Sequence, residues 1–309
     1  MTRAAACMLA LSALALTAAA APPLAPDKRM QPKPPLAPDQ QVLPKPKLEL
    51  RVCATPDNLP FSNEQREGFE NKIAELIARD MGLPIHYTFH PQRRGFVRRT
   101  LNAGTCNLIM GAPTGIEMLI TTKPCYRSTY VFVTRADRKL GLKSLDDPAL
   151  KTLRIGLHAV GDDGSNPPPG HSLAKRGIVR NVVGYKLWDV EKVKDPQGAI
   201  IDAVAKGEID VAIVWGPFAG FFAKRQPVAL TIAPVPPDIA SLPFEYDISF
   251  GVRKGNDIFK RRLEAILDKR RDDIRAILAG YGVPLVDKPA LAATASNGTR
   301  PKGGEQEKE

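Results

Sequence analysis

From Leu48 to Ala54 the chain reads LELRVCA, a short apolar run bounded by turn-forming residues, the pattern of a buried strand. Thr55–Asn63 follows with Pro, Asp, Asn and Ser, a loop at that strand's carboxyl end. Phe69, Ile73, Leu76, Ile77 and Met81 then recur at helical spacing, and Gly82 and Pro84 stop the helix. Ile85–Phe89 reads as a second strand, Arg94–Ala103 as a second helix and Leu108–Met110 as a third strand. The order βαβαβ predicts a parallel sheet with right-handed crossovers. Ligands in such sheets sit beyond the carboxyl ends of the strands, where Thr55–Asn63 and Gly111–Gly115 both fall.

The same alternation returns further on. Ser128–Thr134 is rich in β-formers and is expected to cross into a second lobe, with Lys139–Leu153 as a linking segment. Arg154–Val160, Val182–Trp188 and Val211–Trp215 read as strands, and Ser172–Arg176 begins a helix. Pro196–Lys206 is an amphipathic helix, and Pro217–Lys224 is a short apolar one whose Phe218, Phe221 and Phe222 read as core. Gly161–Gly170, GDDGSNPPPG, is a rim loop that lacks both the Gly-Lys-Ser/Thr ending of a P-loop and the alternating oxygens of an EF-hand. Phe244–Gly255 leads back to the first lobe, and Ile258–Ala279 is a last helix with one apolar and one basic face. Two crossings of this kind give two α/β lobes around a cleft that closes by hinge motion.

The ends change the picture. Residues 1–21, with one Arg, an apolar run and small residues up to Ala21, form a secretory signal peptide. Residues 22–47 repeat PPLAPD and are expected to be an extended Pro-rich spacer, and residues 286–309 a disordered tail. Lobe one takes 48–134 and 249–285, and lobe two takes 135–248. No later stretch is long and apolar enough to span a bilayer.

The formal charge of +11 in 309 residues first suggests nucleic acid. The export signal excludes it and leaves an acidic protein or an anionic surface as the complementary partner. Of four cysteines, Cys7 leaves with the signal, and Cys53 and Cys106 stand on strands that this topology usually makes neighbours, so a bridge is open to them. No GxSxG, HExxH or CxxCH motif occurs, and His86, His90, His158 and His171 are scattered, so neither a catalytic set nor a metal site is expected.

Several phrases together resemble periplasmic solute-binding proteins of the polar amino-acid type. They resemble most the J-protein branch (MxaJ and XoxJ) of bacterial methanol-oxidation clusters. The phrases are LRVCATPDNLPFSN, GFENKIAELIARDMGLP, HPQRRGFVRRTLNAG, CNLIMGAP, TTKPCYRSTYVFVTR and GEIDVAIVWGPFAGFFA, spread over about Leu48 to Pro284. The resemblance implies a two-lobed, type II binding-protein fold. Each lobe would be a mainly parallel sheet flanked by helices, and two hinge strands would join them. It also implies a free Cys125, because that family usually has Tyr there.

Amino-acid binders of this fold hold the ligand carboxylate with an Arg on the helix after the third strand, where Met118 stands here. They hold the ammonium with an Asp where Trp215 stands. A zwitterion would leave both charges unpaired, which makes an amino acid a poor ligand. The expected cleft lining is Asp57, Asn58, Phe61, Arg94, Thr114, Met118, Trp215 and Pro217. It suits an aromatic or apolar ligand or a partner's side chain, and Trp215 can equally be a plug. Arg98 and Arg99 are candidates for a partner surface, against the alternative of a solvated basic face.

The function implied by the resemblance is that of a non-catalytic accessory, without cofactor, to a quinoprotein methanol dehydrogenase. The dehydrogenase, which itself carries pyrroloquinoline quinone (PQQ), would be the partner, with its c-type cytochrome as a possible second one. The wording leans toward the lanthanide-dependent system, and the chain is expected to act as a monomer. The alternatives are an importer's binding protein for a small aromatic or apolar solute, and a fold-sharing dehydratase using Asp57 and Glu245.

Overall fold

The computed structural model describes residues 48–159, 166–187, 195–237 and 243–287. The signal peptide and linker expected over 1–47, residues 160–165 of the GDDGSNPPPG loop, Trp188, and the tail beyond residue 287 lie outside the described residues.

The first strand, β1 (Leu50–Ala54), runs into two short paired strands, β2 (Asp57–Asn58) and β3 (Ser62–Asn63), so the expected loop is a small hairpin. Helix α1 (Phe69–Met81) follows and ends at Gly82, whose φ of 65° supplies the left-handed cap that glycine adopts at least cost. Then come β4 (Ile85–Phe89), α2 (Phe96–Arg99), β5 (Leu108–Pro113) and the long β6 (Ile120–Arg135). The α2 helix is one turn, shorter than the expected Arg94–Ala103, because Gly95 at φ 88° starts it late and Thr100 leaves helical geometry at once. No helix separates β5 from β6.

The second lobe contains β7 (Ile155–Ala159), α3 (Pro168–Lys175), β8 (Val182–Lys186), α4 (Ala199–Lys206), β9 (Val211–Trp215), α5 (Gly216–Ala223) and β10 (Leu230–Pro234). Strand β11 (Glu245–Val252) returns to lobe one, and α6 (Asp257–Lys269) and α7 (Arg271–Gly280) complete the described chain. The expected single helix Ile258–Ala279 is thus two. Arg270, at φ −109° and ψ 19°, breaks it while its guanidinium binds Asp80 and Asp273.

The strands lie in the order β4-β1-β5-β11-β6-β9-β7-β8, with β10 also on β6. Strands β4, β1 and β5 are mutually parallel, as are β8, β7 and β9, whereas β11 and β6 run antiparallel to their neighbours. One half of β6 pairs with β11, and the other half pairs with β9 and β10, so a single continuous strand spans both lobes. Helices α1, α6 and α7 bury Phe69, Ile73, Ile77, Leu263 and Leu278 on the lobe-one sheet. Helices α4 and α5 bury Ile200, Val204, Phe221 and Phe222 on the lobe-two sheet.

After α7 the chain forms a strap against lobe two. Tyr281 stacks on Phe221 with ring centroids 5.8 Å apart, Lys224 donates to the carbonyls of Ala279 and Gly280, and Ser128 donates to that of Pro284. The contact is so close that a Cβ on Gly220 would sit 1.7 Å from the Gly282 oxygen. Among the described residues, no helix is long and apolar enough to cross a membrane.

Candidate functional site

The carboxyl ends of β1 and β5 face lobe two across a half-open space of about 230 Å³. Lobe one supplies Cys53, Thr55, Asn58, Phe61, Glu70, Gln92 and Gly111 to its wall, and lobe two supplies Leu187, Trp215 and Phe218.

Local chemistry holds the lobe-one wall. The Ser62 hydroxyl donates to the Thr55 carbonyl at 2.8 Å and accepts from the Thr55 amide at 3.0 Å, folding the β2–β3 hairpin back onto β1. Asn71 receives the Asn63 and Gly68 amides, each at 3.2 Å, which ties the hairpin to the start of α1. Asn58 donates to Gln92 Oε1 at 3.2 Å, while its own Oδ1 is buried without a hydrogen-bond partner. A disulfide joins Cys53 to Cys106 with Cα atoms 5.4 Å apart, and Cys125 is free. Burial raises the Cys125 thiol pKa, so the group stays protonated and inert.

The lobe-two wall is apolar. Phe218 meets Phe61 edge-on with ring centroids 5.1 Å apart, and Trp215 leans on Tyr130 and Tyr246 at 5.5 and 5.8 Å. Behind Phe218 lies His158, buried, with Nε2 3.1 Å from the Gln197 carbonyl. Burial lowers its pKa to about 4, so it is neutral at physiological pH and donates that hydrogen bond. Gln197 in turn donates from its side chain to the Asp57 carbonyl at 2.7 Å, a direct link between the lobes.

The structure distributes the expected lining residues unevenly. Asn58, Phe61 and Trp215 line the cavity. Met118 is 55% exposed, because 114–119 is a turn and not the helix that would aim a side chain into the cleft. Thr114 is exposed and spends its hydroxyl on Asp247 and Ser249. Asp57 and Arg94 are exposed outside the lining, and Pro217 is buried in the first turn of α5. Arg98 and Arg99 are exposed on α2. Glu245 is paired with Arg127 at 2.9 Å, away from the cavity wall.

Sequence reasoning missed Glu70 and Gln92. Glu70 sits in the first turn of α1, where an acidic residue is ordinarily a helix-end feature. Only the fold shows that it leans on Gly111, where a Cβ would meet its Oε1 at 2.1 Å. Among the described residues, no group of three or more His, Cys, Asp or Glu could hold a metal ion.

Two α/β lobes about a cleft, joined by antiparallel crossing strands, define the periplasmic binding-protein class. The solved structure of periplasmic binding protein XoxJ from Methylobacterium extorquens AM1 matches with a TM-score of 0.64 and 36% identity, over 77% of this chain and 100% of that one. That of MxaJ from Methlophaga aminisulfidivorans matches with a TM-score of 0.68 and 26% identity, again over 77% and 100%. An ancestral cationic amino-acid binding protein shares the fold with a TM-score of 0.60 at 16% identity. The MoxJ protein of Methylorubrum extorquens is 31% identical over 251 residues, 77% of this chain and 81% of the relative. No family model matches the chain. This chain belongs to the MoxJ family of periplasmic binding proteins.

Proposed function

We propose that this chain is a periplasmic, non-catalytic accessory of a PQQ-dependent methanol dehydrogenase, aiding its assembly or activation by direct contact. The observation that carries this reading is membership of the MoxJ family. The higher identity to XoxJ, 36% against 26% for MxaJ, favours the lanthanide-dependent system as the partner's. Two features support a role other than amino-acid capture. Trp215 lines the cleft where an ammonium-binding Asp would stand, and the described cavity wall carries no Arg or Lys for a carboxylate. The chain carries a formal charge of +11, and exposed Arg98 and Arg99 extend that charge to the rim of lobe one. A positive surface speeds encounter with an acidic partner, and salt weakens the effect.

The test is a pull-down of purified dehydrogenase on the full chain at low and high ionic strength. Retention at low salt, lost at high salt and weakened about ten-fold by Arg98→Glu with Arg99→Glu, supports contact through α2. No retention at any salt overturns the accessory role.

A second reading is favoured by the cavity itself. Its aromatic and aliphatic walls suit a small aromatic or apolar solute delivered to an importer. Thermal-shift screening of such solutes separates the two readings.

A further inference from the structure

Glu70 is the one carboxylic acid on the described cavity wall. No hydrogen bond or ion pair among the described residues reaches its carboxylate. The groups that feel it electrostatically are Tyr87 on β4 and Cys125 and Tyr126 on β6, all neutral at physiological pH and held so by burial. Arg66 lies over the Tyr87 ring at 5.0 Å. Burial pushes the Glu70 carboxyl up to about 8, so it is mostly protonated at physiological pH while no cation lies against it.

A second unmet acceptor nearby, Asn58 Oδ1, is buried away from the cavity's solvent. Glu70 shares the cavity with three aromatic side chains, Phe61, Trp215 and Phe218. The missing counterpart is therefore cationic at one end and apolar at the other. A space of about 230 Å³ falls below the range of roughly 300–1,000 Å³ typical of drug-sized ligands, so the counterpart is small.

We propose that the interlobe cavity binds a small organic monocation, a primary ammonium on a short apolar stem. The ammonium lies against Glu70, and the stem lies among Phe61, Trp215 and Phe218. An α-amino acid is rejected because its carboxylate would enter the same cavity with no cation among the described lining residues to meet it. This assignment is independent of the dehydrogenase reading: the pull-down can fail while the cavity still takes an amine, and the reverse.

The experiment is calorimetric titration of the full chain with 2-phenylethylammonium, its alcohol isostere 2-phenylethanol, and 3-phenylpropanoate. The amine is expected to bind at least about ten-fold tighter than the alcohol, as a charge-assisted hydrogen bond requires, and the carboxylate not at all. Amine affinity should rise between pH 6 and pH 9 with release of a proton, because Glu70 must ionise to receive the cation. Glu70→Gln should bind amine and alcohol alike. Should Glu70→Gln fail to fold, Gly111→Ala pushes the carboxylate aside and should weaken the amine selectively. An alcohol bound as tightly as the amine, no amine binding at 10 mM (roughly the weakest affinity of interest), or a preference that survives both substitutions would overturn the proposal.

Discussion

The two walls of the cleft differ in kind. Lobe one presents Thr55, Asn58, Glu70 and Gln92, whereas lobe two presents Leu187, Trp215 and Phe218 and keeps its polar pair, His158 and Gln197, behind that surface. Lobe one thus mixes polar side chains with apolar ones such as Phe61 and Met110, and lobe two adds aromatic and aliphatic ones. A ligand can settle on the polar half first, and the apolar half then strengthens each polar contact by removing solvent. The walls also age differently with pH. Each buries one titratable group in its neutral form, an acid on one side and a base on the other.

Four measurements break or sharpen this contrast. The largest effect is expected on lobe one. Cys53→Ala with Cys106→Ala opens a loop spanning a sequence separation of 53, and urea denaturation should show a loss of about 3–4 kcal/mol. Phe218→Ala removes the buried centre of the opposite wall and should cost about 3 kcal/mol in the same assay.

Third is the pH profile of stability. His158 has a folded pKa near 4, below its unfolded value of 6.5, so its contribution is present above pH 6.5 and lost as pH falls toward 4. The loss reaches about 3 kcal/mol, and His158→Gln should flatten that acid limb. Glu70 has the opposite sign. Its folded pKa of about 8 exceeds 4.5, so its contribution is full below pH 4.5 and is lost as pH rises through 8. Glu70→Gln should flatten the alkaline limb only. A profile in which one substitution removes both limbs would refute the assignment of one group to each wall.

The smallest effect is a double-mutant cycle on Phe61 and Phe218, whose edge-on contact across the cleft should give a coupling of about 1 kcal/mol.

Much of this architecture was legible in the chain. Strong periodicity between sharp stops located α1, β4 and β9 to the residue, because Gly82 and the Val211–Trp215 run left few alternatives. Weak periodicity misled at Arg94–Ala103, where Phe96, Val97 and Leu101 can share one helical face but Gly95 and Thr100 permit a single turn. It misled again at Arg270, since both α6 and α7 keep an apolar face and the pattern runs unbroken through the kink. Strand β10 gave no clear signal, because LTIAP depends on pairing with β6, a partner nearly a hundred residues away. The site was half visible. Asn58 and Phe61 lie in a loop that the strand-end rule singles out, and Trp215 comes from the resemblance to amino-acid binders. Glu70 follows from neither, since an acid in a helix's first turn has a sufficient local explanation, and only Gly111 on a distant strand reveals its surroundings.

The strap after α7 sets a gauge on how far the cleft can gape. At Gly220 and Gly282 two bare backbones touch, and neither leaves room for a methyl group. Tyr281, stacked on Phe221, also reaches back to donate to the Glu67 carbonyl just ahead of α1, so one side chain holds both halves at once. Swinging the lobes apart means unstacking that ring as well as flexing β6. Bare hydrogens at Gly220 and Gly282 are what let the two backbones meet, where any other residue would act as a wedge.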